Sequence, residues 1–448
     1  MDTATLQELR DRLVDHSSRG LANAVGVAIA NGVLAEGDVL PPIRIVASEL
    51  CLSPSTVSAA WRLLSRAGAI HTDGRHGTTV TRGGPGPVRY RRAVRQSMNF
   101  KLDLSTGMPD LSLLPDLTPT LQALPHAWSV TSYLDDPIIP GLVDVLAQEW
   151  PYSTREFAIV DGALDALDLI GRHLFHFGDL ILIENPEFPA VVDLFEAHGV
   201  RTMGVNLDQE GLIIDDLVNG LRRQPRALFL QPRAQNPSGV SMSERRATQI
   251  AEVLAGTSVH IIEDDYIGGV AQSPNISLGR WLPGQTIHVQ SFSKSHGPDL
   301  RLAAVSGPAA IVQGLRERRL LGQGWTSRVL QSILLDVLCR PKSIDQVTAA
   351  RNEYARRYRE MSDALKRRGV SLMGYDGINL WLPVQDETTA LLLLASRGIG
   401  AAAGSPFNTA PTKTPHLRIT VGLVASETER VAEALSAAAE ATASSALR

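Results

Sequence analysis

Cysteine and lysine are scarce in this chain of 448 residues, and long apolar runs are missing. The two cysteines, Cys51 and Cys339, lie far apart among apolar neighbours. They cannot form a disulfide framework; they read as buried free thiols and fit a reducing cytoplasm. No stretch approaches the roughly 20 apolar residues that a membrane span needs. Met1 to Arg12 alternates charged and apolar residues, unlike a signal peptide. Repeats and low-complexity tracts are missing too, apart from an Ala/Ser-rich tail after Leu435 that reads as a fraying helix end. Lysine occurs five times (Lys101, Lys294, Lys342, Lys366, Lys413) against 38 arginines. Chemistry that needs a neutral amine nucleophile therefore has few candidates.

A hydrophobic content of 44% with 20% charge is that of a soluble globular protein, long enough for more than one domain. The net charge of −4 is unevenly spread: residues 1–98 hold 12 Arg, no Lys and 8 Asp/Glu, which leaves the remainder acidic. A basic head on an acidic body suits a polyanion partner for the head alone. The segment RGGPGPVRYRRAVR (82–95) clusters Gly, Pro and Arg without apolar period, as a linker does. The expected division is 1–81, a linker over 82–98, and 99–448.

In the head, Leu21, Val25 and Ala28/Ile29 share one face of a helix over 18–30. A short helix follows Pro41-Pro42, Cys51-Leu52 makes a turn, and Ser53 caps a helix that starts at Pro54. Val57, Trp61 and Leu64 give that helix its apolar stripe, and Gly68 ends it. Two short β runs (69–72 and 78–81) joined by Asp73-Gly-Arg-His-Gly77 make a hairpin. This is the plan of a winged helix-turn-helix. Its second helix can offer Ser55, Thr56, Ser58 and Arg62 to a major groove, and the hairpin tip can offer Arg75 and His76 to the backbone or minor groove. A helical subdomain with no nucleic-acid partner is the alternative.

The body alternates β-like runs (157–160, 180–184, 201–205, 227–231, 259–263, 286–290, 303–307) with helical stretches such as 163–176 and 244–255. That order predicts an α/β layer with a mostly parallel sheet. Lys294 sits in HVQSFSKSHGPDLRLAAV after one of these runs, beside Ser291, Ser293 and Ser295, with Arg301 seven residues on. An amine, small hydroxyls and a guanidinium are what pyridoxal phosphate (PLP) requires for a Schiff base and a held phosphate. A surface lysine in a polar loop is the alternative. Other segments add to the first reading. Asp264 and Tyr266 in IIEDDYIGG can meet the pyridine nitrogen and the ring oxygen. Asn236 in QNPSG can also reach that oxygen. Gly162 and Ala163 in IVDGALDAL open a helix toward a phosphate. Phe188 in IENPEFP can stack on the ring. No metal site is expected.

Residues 37–80 resemble the GntR-family DNA-binding domain, with Gly37-Asp-Val-Leu-Pro41, Arg44, Ser53-x-x-Thr56-Val57, and a wing with Gly74, Gly77-Thr78 and Val80. The wing carries one residue more between its glycines than the family pattern. The resemblance implies DNA contacts from Arg44, Ser53, Ser55, Thr56 and Arg62 and from the wing residues Arg75, His76 and Gly77. From about Asn99 onward the chain resembles fold-type I aminotransferases. That resemblance implies Lys294 as the Schiff-base lysine, Asp264 on the pyridine nitrogen, Asn236 and Tyr266 on the ring oxygen, and Phe188 stacked on the ring. It assigns the phosphate to Ser291, Ser293, Arg301, Gly162 and Ala163. Arg418 in TPHLRITVG would bind an effector carboxylate; a surface ion-paired arginine is its alternative.

A GntR head on such a body resembles the MocR-type regulators. The expected fold class is multi-domain: an N-terminal winged helix-turn-helix and a C-terminal α/β fold-type I PLP-dependent aminotransferase-like domain. The expected partners are a double-stranded DNA operator and a small amine or amino-acid effector, with no membrane. The resemblance also implies a head-to-tail homodimer and a bacterial cytoplasmic location, at the nucleoid when DNA is bound. Three departures stand out. Asp265-Tyr-Ile-Gly-Gly-Val replaces the family's usual sequence there, the loop around Tyr133 is altered, and Ala190 stands where some relatives place a second carboxylate-binding arginine. The expected function is a regulator that senses PLP or a PLP–amine adduct. A working aminotransferase is the alternative, and a DNA-binding protein with an inert body is a third.

Overall fold

The computed structural model describes residues 9–10, 13, 15–30, 33–35, 37–66, 69–73, 77–80, 89–90, 100–124, 132–133, 135–412 and 414–442. Among these, no helix is long and apolar enough to cross a membrane. Arg75 and His76 lie outside the described residues, as does the linker apart from Arg89 and Tyr90.

The head contains α1 (Ser18–Ala30), β1 (Val39–Leu40), α2 (Ile43–Glu49), α3 (Pro54–Arg66), β2 (Ile70–Asp73) and β3 (Gly77–Val80). Leu21, Val25 and Ala28 of α1 bury against Val57, Trp61 and Leu64 of α3, as the helical spacing requires. The Ser53 hydroxyl accepts the Thr56 N–H at 3.0 Å, so α3 starts where the cap is. Such a cap contributes about 1 kcal/mol. The expected two-stranded hairpin has a third strand: β1 pairs antiparallel with β3, with Val39 opposite Thr79. Two residues are too few to show alternation, and the pairing arises from the open edge of β3.

Both cysteines are exposed, against the expectation of burial. Cys51 sits at the α2–α3 turn with φ +54°, where the side chain points off the head core. Cys339 is the last residue of a helix over Arg328–Cys339.

The body is built on an eight-stranded sheet. Its strands are β4 (Phe157–Val160), β5 (Leu180–Asn185), β6 (Arg201–Asp208), β7 (Gly211–Leu212), β8 (Ala227–Leu230), β9 (His260–Asp265), β10 (Thr286–Ser291) and β11 (Ala303–Ser306). The spatial order is β4-β11-β10-β9-β8-β5-β6-β7. β5, β6, β8, β9 and β10 pair in parallel, β11 runs against both its neighbours, and β7 runs against β6. All four residues of β4 and all four of β8 are buried, because helices cover both faces. Among these helices are α4 (Ala163–Leu174), α5 (Pro189–Ala197) and α6 (Glu244–Leu254). A smaller layer closes one side. It contains β12 (Leu380–Pro383), β13 (Ala402–Ala403) and β14 (His416–Ile419), packed with the long helix α7 (Pro341–Lys366) and with α8 (Thr428–Glu440). In an open parallel sheet, ligands gather beyond the carboxyl ends of the strands. The segments that follow β4, β5, β8, β9 and β10 carry the candidate residues.

Candidate functional site

Lys294 follows β10 and is nearly buried. Its ammonium donates to the Gly107 carbonyl at 2.8 Å. Burial lowers its pKa to about 8, helped by the positive charges of Arg418 and Arg301. An ordinary lysine at pH 7 has about one neutral amine in three thousand; here it is about one in ten. This is the environment of a nucleophilic amine rather than a solvated surface charge.

Arg418 projects from β14 and is only 3% exposed. That excludes the surface ion-pair alternative. Its guanidinium donates to the Ser105 carbonyl and lies 5.2 Å from the Phe407 ring centre. Nε has no partner, and among the described residues no carboxylate lies within ion-pair distance of it. A buried cation without a counter-ion can accommodate an anionic group. The turn Ser105-Thr-Gly107 thus joins the lysine to the arginine. Gly107 has φ +66°, and a Cβ there would approach the Arg418 guanidinium at 3.3 Å. Sequence reasoning missed this turn; its Gly-Met-Pro sequence was the available sign.

Asp264, near the end of β9, is 4% exposed. Gln231 donates to one of its oxygens at 3.2 Å, while the other has no partner. Burial raises its pKa to about 7, with the neighbouring Asp265 adding to the rise. A cation against the open oxygen would restore the charged form. Gln231, another residue without an assigned role in the sequence reading, also accepts the Asn236 backbone N–H at 2.7 Å. The Asn236 side-chain oxygen is buried and unpartnered. Tyr266 donates to the Ala234 carbonyl at 2.7 Å, and burial pushes its phenol up. The deeper carboxylate Glu184 is raised to about 8 by burial and accepts the Gln231 N–H at 2.9 Å.

Gly162 caps α4 with φ +105°, and a Cβ there would meet Arg301 Nη2 at 3.0 Å. Arg301 itself is left-handed, with φ +47°. The open N–H groups of Gly162 and Ala163 and the Arg301 guanidinium therefore face one small space, suited to a phosphate. Ser291 is buried and accepts the Ser293 N–H at 3.3 Å. Phe188, at the start of α5, is half-buried and packs with Trp381, Ala402 and Phe407. Tyr133 is 86% exposed, with its ring 5.8 Å from that of Trp325.

The buried lone oxygens of Asp264 and Asn236, the softened Lys294 amine and the Gly162–Arg301 cradle fit PLP in donor set and charge. No cluster of metal-ligating groups occurs among the described residues.

In the head, Arg44, Ser55 and Arg62 are exposed. Ser53 and Thr56 are more occupied than expected: their hydroxyls lie 2.7 Å apart, and Ser53 is also 2.7 Å from Ser55. Gly77 has φ +89° at the base of the wing.

Comparisons with known proteins match these two parts. Residues 101–435 match the family model "Aminotransferase class I and II". Residues 18–80 match "Bacterial regulatory proteins, gntR family". The vitamin B6 salvage pathway transcriptional repressor PtsJ of Salmonella typhimurium is 34% identical over 438 residues, covering 94% of this chain and 95% of that protein. The HTH-type transcriptional regulator YdcR of Escherichia coli is 25% identical, over 87% of this chain and 91% of that one. Among solved structures, an archaeal alanine:glyoxylate aminotransferase superposes with a TM-score of 0.69 at 21% identity, over 78% of this chain and 93% of that one. The α-aminoadipate aminotransferase LysN of Thermus thermophilus superposes with a TM-score of 0.68 at 21% identity, over 83% of this chain and 97% of that one. These two likenesses establish the fold of the body.

Proposed function

Because the chain belongs to the GntR regulators whose body is of the aminotransferase class I and II family, the MocR-type arrangement, we propose that it is a transcription regulator that binds DNA through α3 and the wing and senses PLP, or PLP with an amine, in the body. The observation that carries this reading is the joined pair Lys294 and Arg418, the arginine buried and the lysine nearly so, both hydrogen-bonded to one turn, with no carboxylate among the described residues to satisfy the arginine.

When bound, PLP supplies an aldehyde that amines can condense with and a ring that withdraws electrons. Lys294 supplies the amine that holds it. Asp264 holds the proton on the ring nitrogen, and Gln231 keeps that carboxylate oriented. Asn236 and Tyr266 hold the ring oxygen. Arg301, Ser291, Ser293 and the start of α4 at Gly162 and Ala163 hold the phosphate. Phe188 covers one ring face, and Arg418 takes the carboxylate of an amino-acid effector. Arg44, Ser55, Thr56, Arg62 and the wing (Arg75, His76, Gly77) meet the operator, with Ser53 holding the helix end in shape. The vitamin B6 salvage role of the PtsJ relative supports vitamin B6 supply as the controlled process.

The division into 1–81, 82–98 and 99–448 is supported by where the two family matches start and stop. A head-to-tail homodimer in the cytoplasm completes the reading. One observation favours the alternative of genuine amino-group transfer: Lys294 is softened enough to exchange protons at neutral pH. Sustained turnover with a donor–acceptor pair would select that alternative. The regulator reading is tested by measuring operator affinity with and without PLP and candidate amines. Equal affinity in every case would refute sensing.

A further inference from the structure

The two described residues of the interdomain segment, Arg89 and Tyr90, are not free in solvent. Both backbone N–H groups point at the Asp193 carboxylate of α5, at 3.3 and 2.9 Å. The Arg89 guanidinium donates to Glu196 of the same helix at 3.2 Å and to the Asn408 carbonyl at 3.2 Å. Three of these four bonds form a clip along one side of α5, and the fourth ties it to Asn408. The clip places the Tyr90 ring edge-on to Phe188, with centres 5.7 Å apart at 79°. Asn408, which accepts from Arg89, directly follows Phe407, whose ring centre lies 5.2 Å from the Arg418 guanidinium. The clip therefore sets Tyr90 against the aromatic that would cover the cofactor ring, on the side where Phe407 lies beside the arginine that would take an effector carboxylate. It remains 37% exposed, as a residue at a pocket mouth does.

The far end of α5 is also informative. Ala197, His198 and Gly199 line a cleft of about 270 Å³ together with Asn23, Gly26 and Val27 of the head helix α1. One short helix thus runs from the site to the head, with Arg89 and Tyr90 fixed to its flank.

We propose that Tyr90 is a specificity-determining residue of the effector pocket, supplied by the linker, and that the Arg89 clip holds it over the side-chain end of a small amino acid whose carboxylate is held by Arg418 and whose amine lies at the Lys294 end of the pocket. The inference rests on the cofactor reading above. It commits to a chemical class: amino acids with short side chains, because a longer one must displace the phenol. Displacement would lift the clip from α5, so the same residue couples pocket occupancy to the segment that carries the head.

The test uses the full chain loaded with PLP, titrated with L-alanine and with L-phenylalanine while the visible band of the bound cofactor is followed. Wild type should respond to alanine at lower concentration than to phenylalanine. Tyr90→Ala should shrink the ratio of the two midpoints by about tenfold, the scale of discrimination that a few methylenes of pocket space provide. Tyr90→Phe should keep most of the ratio, and Arg89→Ala should shrink it about threefold by loosening the clip. Operator affinity without any amine should stay within twofold of wild type in Tyr90→Ala and Tyr90→Phe, which a folding defect would not allow, while Arg89→Ala, which loses the bonds to Glu196 and Asn408, should shift it toward the value wild type shows with the amine bound. An unchanged ratio in both Tyr90→Ala and Arg89→Ala, with the cofactor band intact, overturns the inference alone. No response of the wild-type band to either amine also overturns it. A wild type with no band at all overturns the cofactor reading together with it.

Discussion

The head and the body treat their polar groups in opposite ways. In the head, Arg44, Ser55 and Arg62, proposed above to meet DNA, are exposed, and the hydroxyls nearest the helix start are already satisfied by one another: Ser53 accepts the Thr56 N–H and lies against two further hydroxyls. In the body, the key groups are buried and short of partners, as the lone oxygens of Asp264 and Asn236 and the Arg418 Nε are. A surface meant for a hydrated polyanion loses little by waiting in water. A pocket that buries charge waits at a cost that its ligand removes on binding. Substitutions should therefore act all-or-none in the body and by degrees in the head.

The largest expected effect is that of Lys294→Ala. It should abolish the visible absorbance of bound PLP while leaving operator affinity without cofactor unchanged. A retained band would place the amine elsewhere and erase the contrast.

Arg418→Ala comes next. Removing the buried partner of a carboxylate should cost about 2–5 kcal/mol of amino-acid affinity, more than a tenfold shift in the spectral titration, with simple amines lacking a carboxylate unaffected. Equal losses for both ligand types would indicate general damage instead.

Asp264 gives a pH signature. Its folded pKa, about 7, lies above the ordinary carboxylate value because burial disfavours its charge. The folded chain without cofactor then binds a proton that the unfolded chain has lost. Stability contributed by this group is present below pH about 4 and falls as pH rises toward 7. Asp264→Asn should flatten that part of the profile in thermal melts without PLP, and PLP itself should flatten it in wild type. A profile unaffected by either change would mean the carboxylate is not held as described.

The smallest effects belong to the head. Arg62→Ala should weaken operator binding by about tenfold and lower the salt dependence by about one ion. Gel-shift or fluorescence titrations at two salt concentrations check this. A change in the amine response would contradict the separation of the two sites.

The same contrast explains what the sequence could show. Local signals were enough for α3, because Ser53-Pro54 and the Val57, Trp61, Leu64 stripe act within one helix. They were also enough for the central strands, whose apolar runs are buried on both faces. The lysine and its serines were legible because they are neighbours in sequence. Long-range features were not. The Ser105–Gly107 turn meets Lys294 and Arg418 across 187 and 313 positions. Strand β1 exists only because β3 offers it an edge. Both cysteines have apolar neighbours in sequence, yet their side chains end up at a turn and a helix terminus, in solvent. The segment 82–95 reads as a Gly/Pro/Arg break, and nothing local showed that Arg89 reaches Glu196.

The most direct measurement is to reduce the PLP-loaded chain with borohydride, digest it and map the modified peptide by mass. The adduct is expected on the peptide that contains Lys294, and only there. An adduct on Lys101, Lys342, Lys366 or Lys413 in its place, or none at saturating PLP, would contradict the account.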